Sequence, residues 1–128
     1  MKRVMALFGE AEKGQFHTPY VFHSLLELAE TLGNPPEDSV GLSLSIQAIL
    51  YNRALMFFRV EEEGFSLDDY YWGLRYLKNQ QTTLNAICIP KVSDPTIIKE
   101  TTYLCHKNKS LILITEKDFY DYLTSIFY

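Results

Sequence analysis

From residue 55 onward, short apolar runs alternate with segments whose apolar residues recur every third or fourth position, and this alternation constrains the fold more than any other feature. The runs are Leu55-Met56-Phe57-Phe58-Arg59-Val60, Ala86-Ile87-Cys88-Ile89 and Leu111-Ile112-Leu113-Ile114. Consecutive apolar positions suit strands covered on both faces. Leu67, Tyr70, Tyr71, Leu74 and Leu77 outline one intervening helix, and Ile97, Ile98, Thr101, Leu104 and Cys105 outline the next. Phe119, Tyr122, Leu123, Ile126 and Phe127 outline a helix after the last run. Such alternation requires right-handed crossovers and a parallel sheet with helices on both faces. The expectation is an α/β three-layer sandwich with a mostly parallel central sheet, Rossmann-like or flavodoxin-like.

The first half adds two strands and two helices. Val4 to Phe8 is an apolar run stopped by Gly9, and Tyr20-Val21-Phe22 could be a second, short strand. Ser24 and Glu27 have capping-box spacing, Leu25, Leu28, Ala29 and Leu32 give one helical face, and Gly33 ends it. Two prolines in Asn34-Pro35-Pro36-Glu37-Asp38 make a turn. The next helix is predicted over 40–52, burying Leu42, Ile46, Ile49 and Leu50. Asp94-Pro95 is a helix start, with an acceptor at the N-cap and a proline where no N–H is needed. No linker, repeat or low-complexity segment divides the chain, so residues 1–128 read as a single domain.

Charge and composition narrow the function classes. The formal net charge is −4 and the basic residues form no stripe, which argues against nucleic acid, where phosphate attraction supplies much of the affinity. No apolar run approaches the ~20 residues that span a bilayer, and the apolar stretch at the start is too short for a signal peptide. Neither membrane nor nucleic-acid partners are therefore expected. Cys88 and Cys105 sit within apolar patterns and suggest reduced core thiols, hence a cytoplasmic protein.

Catalytic constellations are sparse. Gly9-Glu10-Ala11-Glu12-Lys13-Gly14 lacks the Lys-Ser/Thr ending of a phosphate-binding loop, and no dinucleotide fingerprint or nucleophile elbow exists. Cys105 and His106 are helical neighbours whose side chains diverge by about 100°. His17 and His23 find no third zinc ligand at a recognisable spacing. Acidic residues do follow the strands, and Glu10, Glu61, Asp94 and Glu116 could converge at the carboxyl edge to hold Mg²⁺ for chemistry on a phosphorylated substrate. Against this, Asp94 suits a helix cap and Glu116 a helix N-terminus. The run Glu61-Glu62-Glu63 reads as a solvated acidic loop, and a third reading makes it the contact of a small regulatory domain with a basic partner. No cofactor is expected under the favoured reading.

Aromatic residues are abundant, with nine Tyr and eight Phe, and some fall outside the helical core stripes. Trp72 and Tyr76 lie off the stripe of their helix, and Phe127 and Tyr128 end the chain. These four are candidate contact residues of a protein interface.

The order of several short motifs resembles contractile tail sheath proteins of phages and related injection machines. Phe8-Gly9-Glu10-Ala11-Glu12-Lys13-Gly14, then Thr18-Pro19-Tyr20-Val21, Ser24 and Leu32-Gly33 are similar to the family's opening loop, strand and helix end. Ser45-Ile46-Gln47-Ala48-Ile49-Leu50-Tyr51-Asn52, Arg59-Val60 and Leu84-Asn85-Ala86-Ile87-Cys88-Ile89-Pro90 follow in the family's order. The resemblance covers about residues 7–115 and implies a sheath-like core domain without catalytic residues. Its partners would be proteins, through self-association or contact with a contractile apparatus, in the cytoplasm or in a phage-like particle assembled there. Two departures stand out. The family's Asn-Gly-Gly is Asn52-Arg53-Ala54 here, which should remove a flexible turn. The strand-exchanging C-terminal domain of sheath subunits has no counterpart in these 128 residues, so sheath self-assembly is not implied.

Overall fold

The computed structural model describes residues 3–80 and 83–125. Its strands are β1 (Arg3–Gly9), β2 (Pro19–Phe22), β3 (Arg53–Arg59), β4 (Ala86–Cys88) and β5 (Leu111–Leu113). Its helices are α1 (Leu25–Leu32), α2 (Gly41–Leu50), α3 (Leu67–Asn79), α4 (Pro95–Asn108) and α5 (Glu116–Thr124). The five strands form one sheet in the order β2-β3-β1-β4-β5, parallel except for β2, which runs antiparallel to β3 at the edge. The parallel strands alone follow the order of flavodoxin-like folds, with the direction of winding reversing between β1 and β4. The chain is thus a doubly wound α/β sandwich, as the strand–helix alternation predicts.

Side-chain alternation along the central strands divides the core. Met5, Leu7, Leu55, Phe57 and Cys88 face α1, α2 and α5, where Leu28, Leu32, Leu42, Ala48, Phe119 and Tyr122 meet them. Ala6, Phe8, Met56, Phe58 and Ile87 face α3 and α4, where Tyr70, Leu74, Leu77, Ile97 and Leu104 meet them. Continuous apolar runs were needed because both faces of β1, β3 and β4 are covered.

Helix boundaries follow their caps. Ser24 Oγ accepts from Glu27 N–H at 3.2 Å, while the Glu27 carboxylate reaches back to His23 N–H at 3.1 Å. Asp94 Oδ1 accepts from Thr96 and Ile97 N–H, both at 3.0 Å, with Pro95 opening the helix. Thr115 and Asp118 form a reciprocal capping box on α5. Ser66 stands at the N-cap of α3 but makes no side-chain cap; its hydroxyl pairs with the Glu62 backbone.

Three expectations, one each for α1, α2 and α3, need correction. In α1, Leu28 and Leu32 are buried but Leu25 and Ala29 are exposed. In α2 the buried positions are Gly41, Leu42, Leu44, Ser45 and Ala48, while Ile46 and Ile49 are only partly buried and Leu50 is exposed. The cause is the approach of α2 to β1: a Cβ on Gly41 would stand 2.6 Å from the Gly9 Cα, so the small-residue stripe faces the sheet. In α3, Leu67 is exposed and Gly73 joins the buried stripe, pressed against the Phe8 and Phe58 rings. Before β3 the chain turns at Tyr51-Asn52 without a glycine. Asn52 itself takes a left-handed conformation at φ 61°, which asparagine tolerates. Arg53 donates to the Tyr51 and Leu123 carbonyls at 2.9 and 3.3 Å, tying α5 to the start of β3. Ile126 and Phe127, expected in the last helix, lie outside the described residues.

Candidate functional site

In a doubly wound sheet the natural ligand crevice lies at the carboxyl ends of the strands where the winding reverses. Here that point is between β1 and β4, and the ends of β1, α2 and the β3–α3 loop meet at it. Gly9 and Gly41 bring β1 and the start of α2 into backbone contact. Glu63, from the β3–α3 loop, is buried between them. Its Oε2 accepts from Glu10 and Gly41 N–H, each at 2.9 Å, and its Oε1 accepts from Val40 N–H at 2.9 Å. Glu10 returns the contact, its Oε2 accepting from Glu63 N–H at 2.9 Å. Free N–H groups at a helix start, reinforced by the helix dipole, make a ready anion site. In this chain the anion is the protein's own carboxylate.

The expected solvated loop Glu61-Glu62-Glu63 is therefore split. Glu61 and Glu62 are exposed, whereas Glu63 is 2% exposed and structural. Sequence reasoning missed this because a third glutamate in a run carries no local sign that a helix start 22 residues away needs an acceptor. Glu10, Glu61, Glu62, Phe65 and Ser66 line an open acidic depression of about 510 Å³ beside the buried pair.

The proposed Mg²⁺ set is not assembled. Asp94 is engaged as the cap of α4, Glu116 lies in the first turn of α5, and Glu10 holds the Glu63 backbone. Only Glu10 and Glu61 share a depression, and among the described residues no three His, Cys, Asp or Glu side chains stand close enough to hold a metal ion. Each carboxylate follows its strand, but Asp94 and Glu10 are held by backbone N–H groups of separate segments, and Glu61 and Glu116 stand apart from them as a set.

Trp72 and Tyr76 belong to a row of near-parallel rings on the flank of α3. His17 stacks on Trp72 at 5.6 Å and 8°, and Trp72 on Tyr76 at 5.8 Å and 9°. Phe58 meets both edge-on at 6.3 and 5.9 Å. His17, itself left-handed at φ 53°, is fixed by its Nε2 contact with Asp69 Oδ1 at 3.0 Å, and Asp69 Oδ2 accepts from Glu61 N–H at 2.8 Å. Asp69, Trp72 and Tyr76 thus form one helical stripe that secures the loop after β1. Both candidate aromatics are half-buried, and an open groove of about 260 Å³ runs beside them, lined also by Arg75, Asn79 and Gln80. Phe127 and Tyr128, the other two candidates, lie outside the described residues. The His17–Asp69 contact spans 52 residues, so no motif spacing could have revealed it.

Cys88 and Cys105 are buried free thiols, as their apolar settings suggested. Burial pushes the Cys105 thiol up to about 12 and the Cys88 thiol further, which keeps both in the protonated form at neutral pH. No helix among the described residues is long and apolar enough to cross a membrane.

Fold and edge together define a doubly wound α/β sandwich whose switch-point crevice is closed by an internal glutamate. Comparison with known proteins finds no matching family model, no matching curated protein and no matching solved structure. The likeness to sheath core domains accordingly rests on the sequence motifs.

Proposed function

We propose that this chain is a non-catalytic assembly domain that acts through protein–protein contacts, as its resemblance to the core of contractile sheath subunits implies. The observation that carries the reading is Glu63. Its carboxylate takes the anion-binding position that a doubly wound enzyme would offer to a phosphorylated ligand. Opening that position would require breaking the three hydrogen bonds that join β1, α2 and the β3–α3 loop. Large apolar side chains meanwhile face solvent, among them Leu26 and Phe65 at 68% and Leu50 at 60% exposure. Such surface is what association covers.

Light scattering across a wide concentration range tests the reading. The mass should rise above the 14.9 kDa monomer, and changing Trp72, Tyr76, Phe127 and Tyr128 together to Ala should weaken that rise. A monomer at every concentration would remove self-association. Growth untouched by the four changes would move the contact elsewhere on the surface.

The exposed pair Glu61 and Glu62, set beside Phe65 around an open depression, favours a second contact of acidic character. A partner there would be basic and its binding weakened by salt.

A further inference from the structure

We propose that the outer face of α3 and α4 pairs with the same face of a second copy of this chain, the two copies related by a two-fold axis that sets their α3 helices antiparallel. The inference rests on the assembly reading above, names its partner, and places the contact on the α3–α4 groove instead of the flank of α3 that carries Trp72 and Tyr76.

Charge is segregated along this face. Before and at the start of α3 stand the exposed carboxylates Glu61, Glu62 and Asp68, the first two sharing a depression with the exposed ring of Phe65. Toward the other end, a groove of about 280 Å³ between α3 and α4 is lined by Tyr71, Arg75, Lys78, Tyr103 and Lys107, with Glu100 as its one carboxylate. A surplus of cations in this groove is notable in a chain of net charge −4. None of Glu61, Glu62, Asp68, Arg75, Lys78 and Lys107 makes an ion pair with another described residue. Their charges are therefore available to a partner.

A second copy supplies the complement. From Leu67 to Lys78 the helix advances roughly 16 Å, so the acidic and basic ends are well separated. Parallel pairing of two such faces would set carboxylate on carboxylate. Antiparallel pairing sets Glu61, Glu62 and Phe65 of each copy at the groove of the other, and a two-fold axis makes that contact twice. Phe65 then meets the Tyr71 and Tyr103 side chains, the latter 63% exposed. Two neighbouring helices of this length present a face roughly 20 Å by 20 Å, or about 800 Å² over both copies, below the standard interface size and in the range of weak, transient contacts. The dimer is accordingly weak and salt-sensitive.

Sedimentation velocity on three full-length chains decides the matter: the wild type, a groove variant Arg75→Glu/Lys78→Glu, and an edge variant Glu61→Lys/Glu62→Lys. The wild type should dimerise at low salt, and each variant alone should bind itself at least ~10-fold more weakly, since like charges then face each other. An equimolar mixture of the two variants should restore the dimer. The acidic groove of the first then meets the basic edge of the second, while the unchanged acidic edge of the first meets the unchanged basic groove of the second. Circular dichroism checks each fold, and Arg75→Ala/Lys78→Ala, expected to weaken the dimer as well, replaces a variant that fails. A mixture that stays monomeric, a variant that dimerises as the wild type does, or wild-type growth beyond two copies overturns the two-fold pairing. Association insensitive to these charges but lost with the Trp72 and Tyr76 changes overturns this face and leaves the assembly reading standing. A wild type monomeric throughout overturns the pairing and self-association together.

Discussion

Replacing Glu63 with glutamine would leave one acceptor oxygen where two now serve three backbone N–H groups. The new amide would turn its own N–H₂ toward a donor. Each buried donor left without a partner costs about 1–3 kcal/mol. Glu63→Gln should therefore destabilise the fold by about 1–3 kcal/mol, read as a lower urea midpoint, despite conserving the side chain's size. An unchanged midpoint would mean that water or a small backbone shift replaces the carboxylate. The neighbouring Glu61 and Glu62 make no such side-chain contacts with described residues, and their replacement should leave stability within about 0.5 kcal/mol. Three identical letters thus have two distinct roles, and only burial separates them.

At the scale of the element, α3 depends on Gly73. An alanine there would gain about 1 kcal/mol in helix propensity. Its Cβ, however, would stand 2.3 Å from Phe8 Cε2. The Phe8 ring cannot withdraw, because it is fully buried and stacked with Phe58 at 4.8 Å and Tyr70 at 5.4 Å. Overpacking of this kind costs about 1–3 kcal/mol, so the steric term wins. Gly73→Ala should lower the melting temperature and shift the ring resonances of Phe8 and Tyr70; a rise would show that α3 can slide outward. In α2 the same logic explains why Gly41, Ser45 and Ala48 are buried alongside Leu42 and Leu44, while Ile46 and Ile49 are only partly buried and Leu50 is exposed. Apolar size alone placed Leu42 correctly but Leu50 wrongly, because the Gly9–Gly41 contact, invisible in a linear pattern, sets the rotation of the helix. The caps of α1, α4 and α5 are local, since Ser24, Asp94 and Thr115 act on N–H groups two or three residues away. Ser66, by contrast, does not cap α3, and the start of α2 is held by the distant Glu63.

For the whole molecule, buried thiols set an alkaline limit. Cys105 titrates near 12 and Cys88 is shifted upward further, both by burial, against 9.0 for a free thiol. Folded-state values raised above the unfolded ones stabilise the fold fully below pH about 9, and the contribution is lost as pH rises toward the folded values. Buried Tyr70, likewise raised from 10.0, adds to the loss above pH about 10. The urea midpoint should fall between pH 8 and pH 10.5, and Cys88→Ala/Cys105→Ala should reduce the fall; a flat profile would place both thiols in contact with water. Slow reaction with a thiol reagent at pH 8 should accompany this, accelerating only on unfolding.

The sequence by itself determined the layers and nearly every element, because covered strands must be apolar at successive positions and cap chemistry acts within three residues. It also supplied the carboxylates at the strand ends and the aromatic residues of α3. Tertiary structure decided which of them meet. Glu63 with the start of α2, His17 with Asp69, and Arg53 with the end of α5 are joined across 22, 52 and 70 residues. Contacts at such separations follow from how helices rotate and loops close on the sheet, and that geometry is a property of packing that no local pattern encodes.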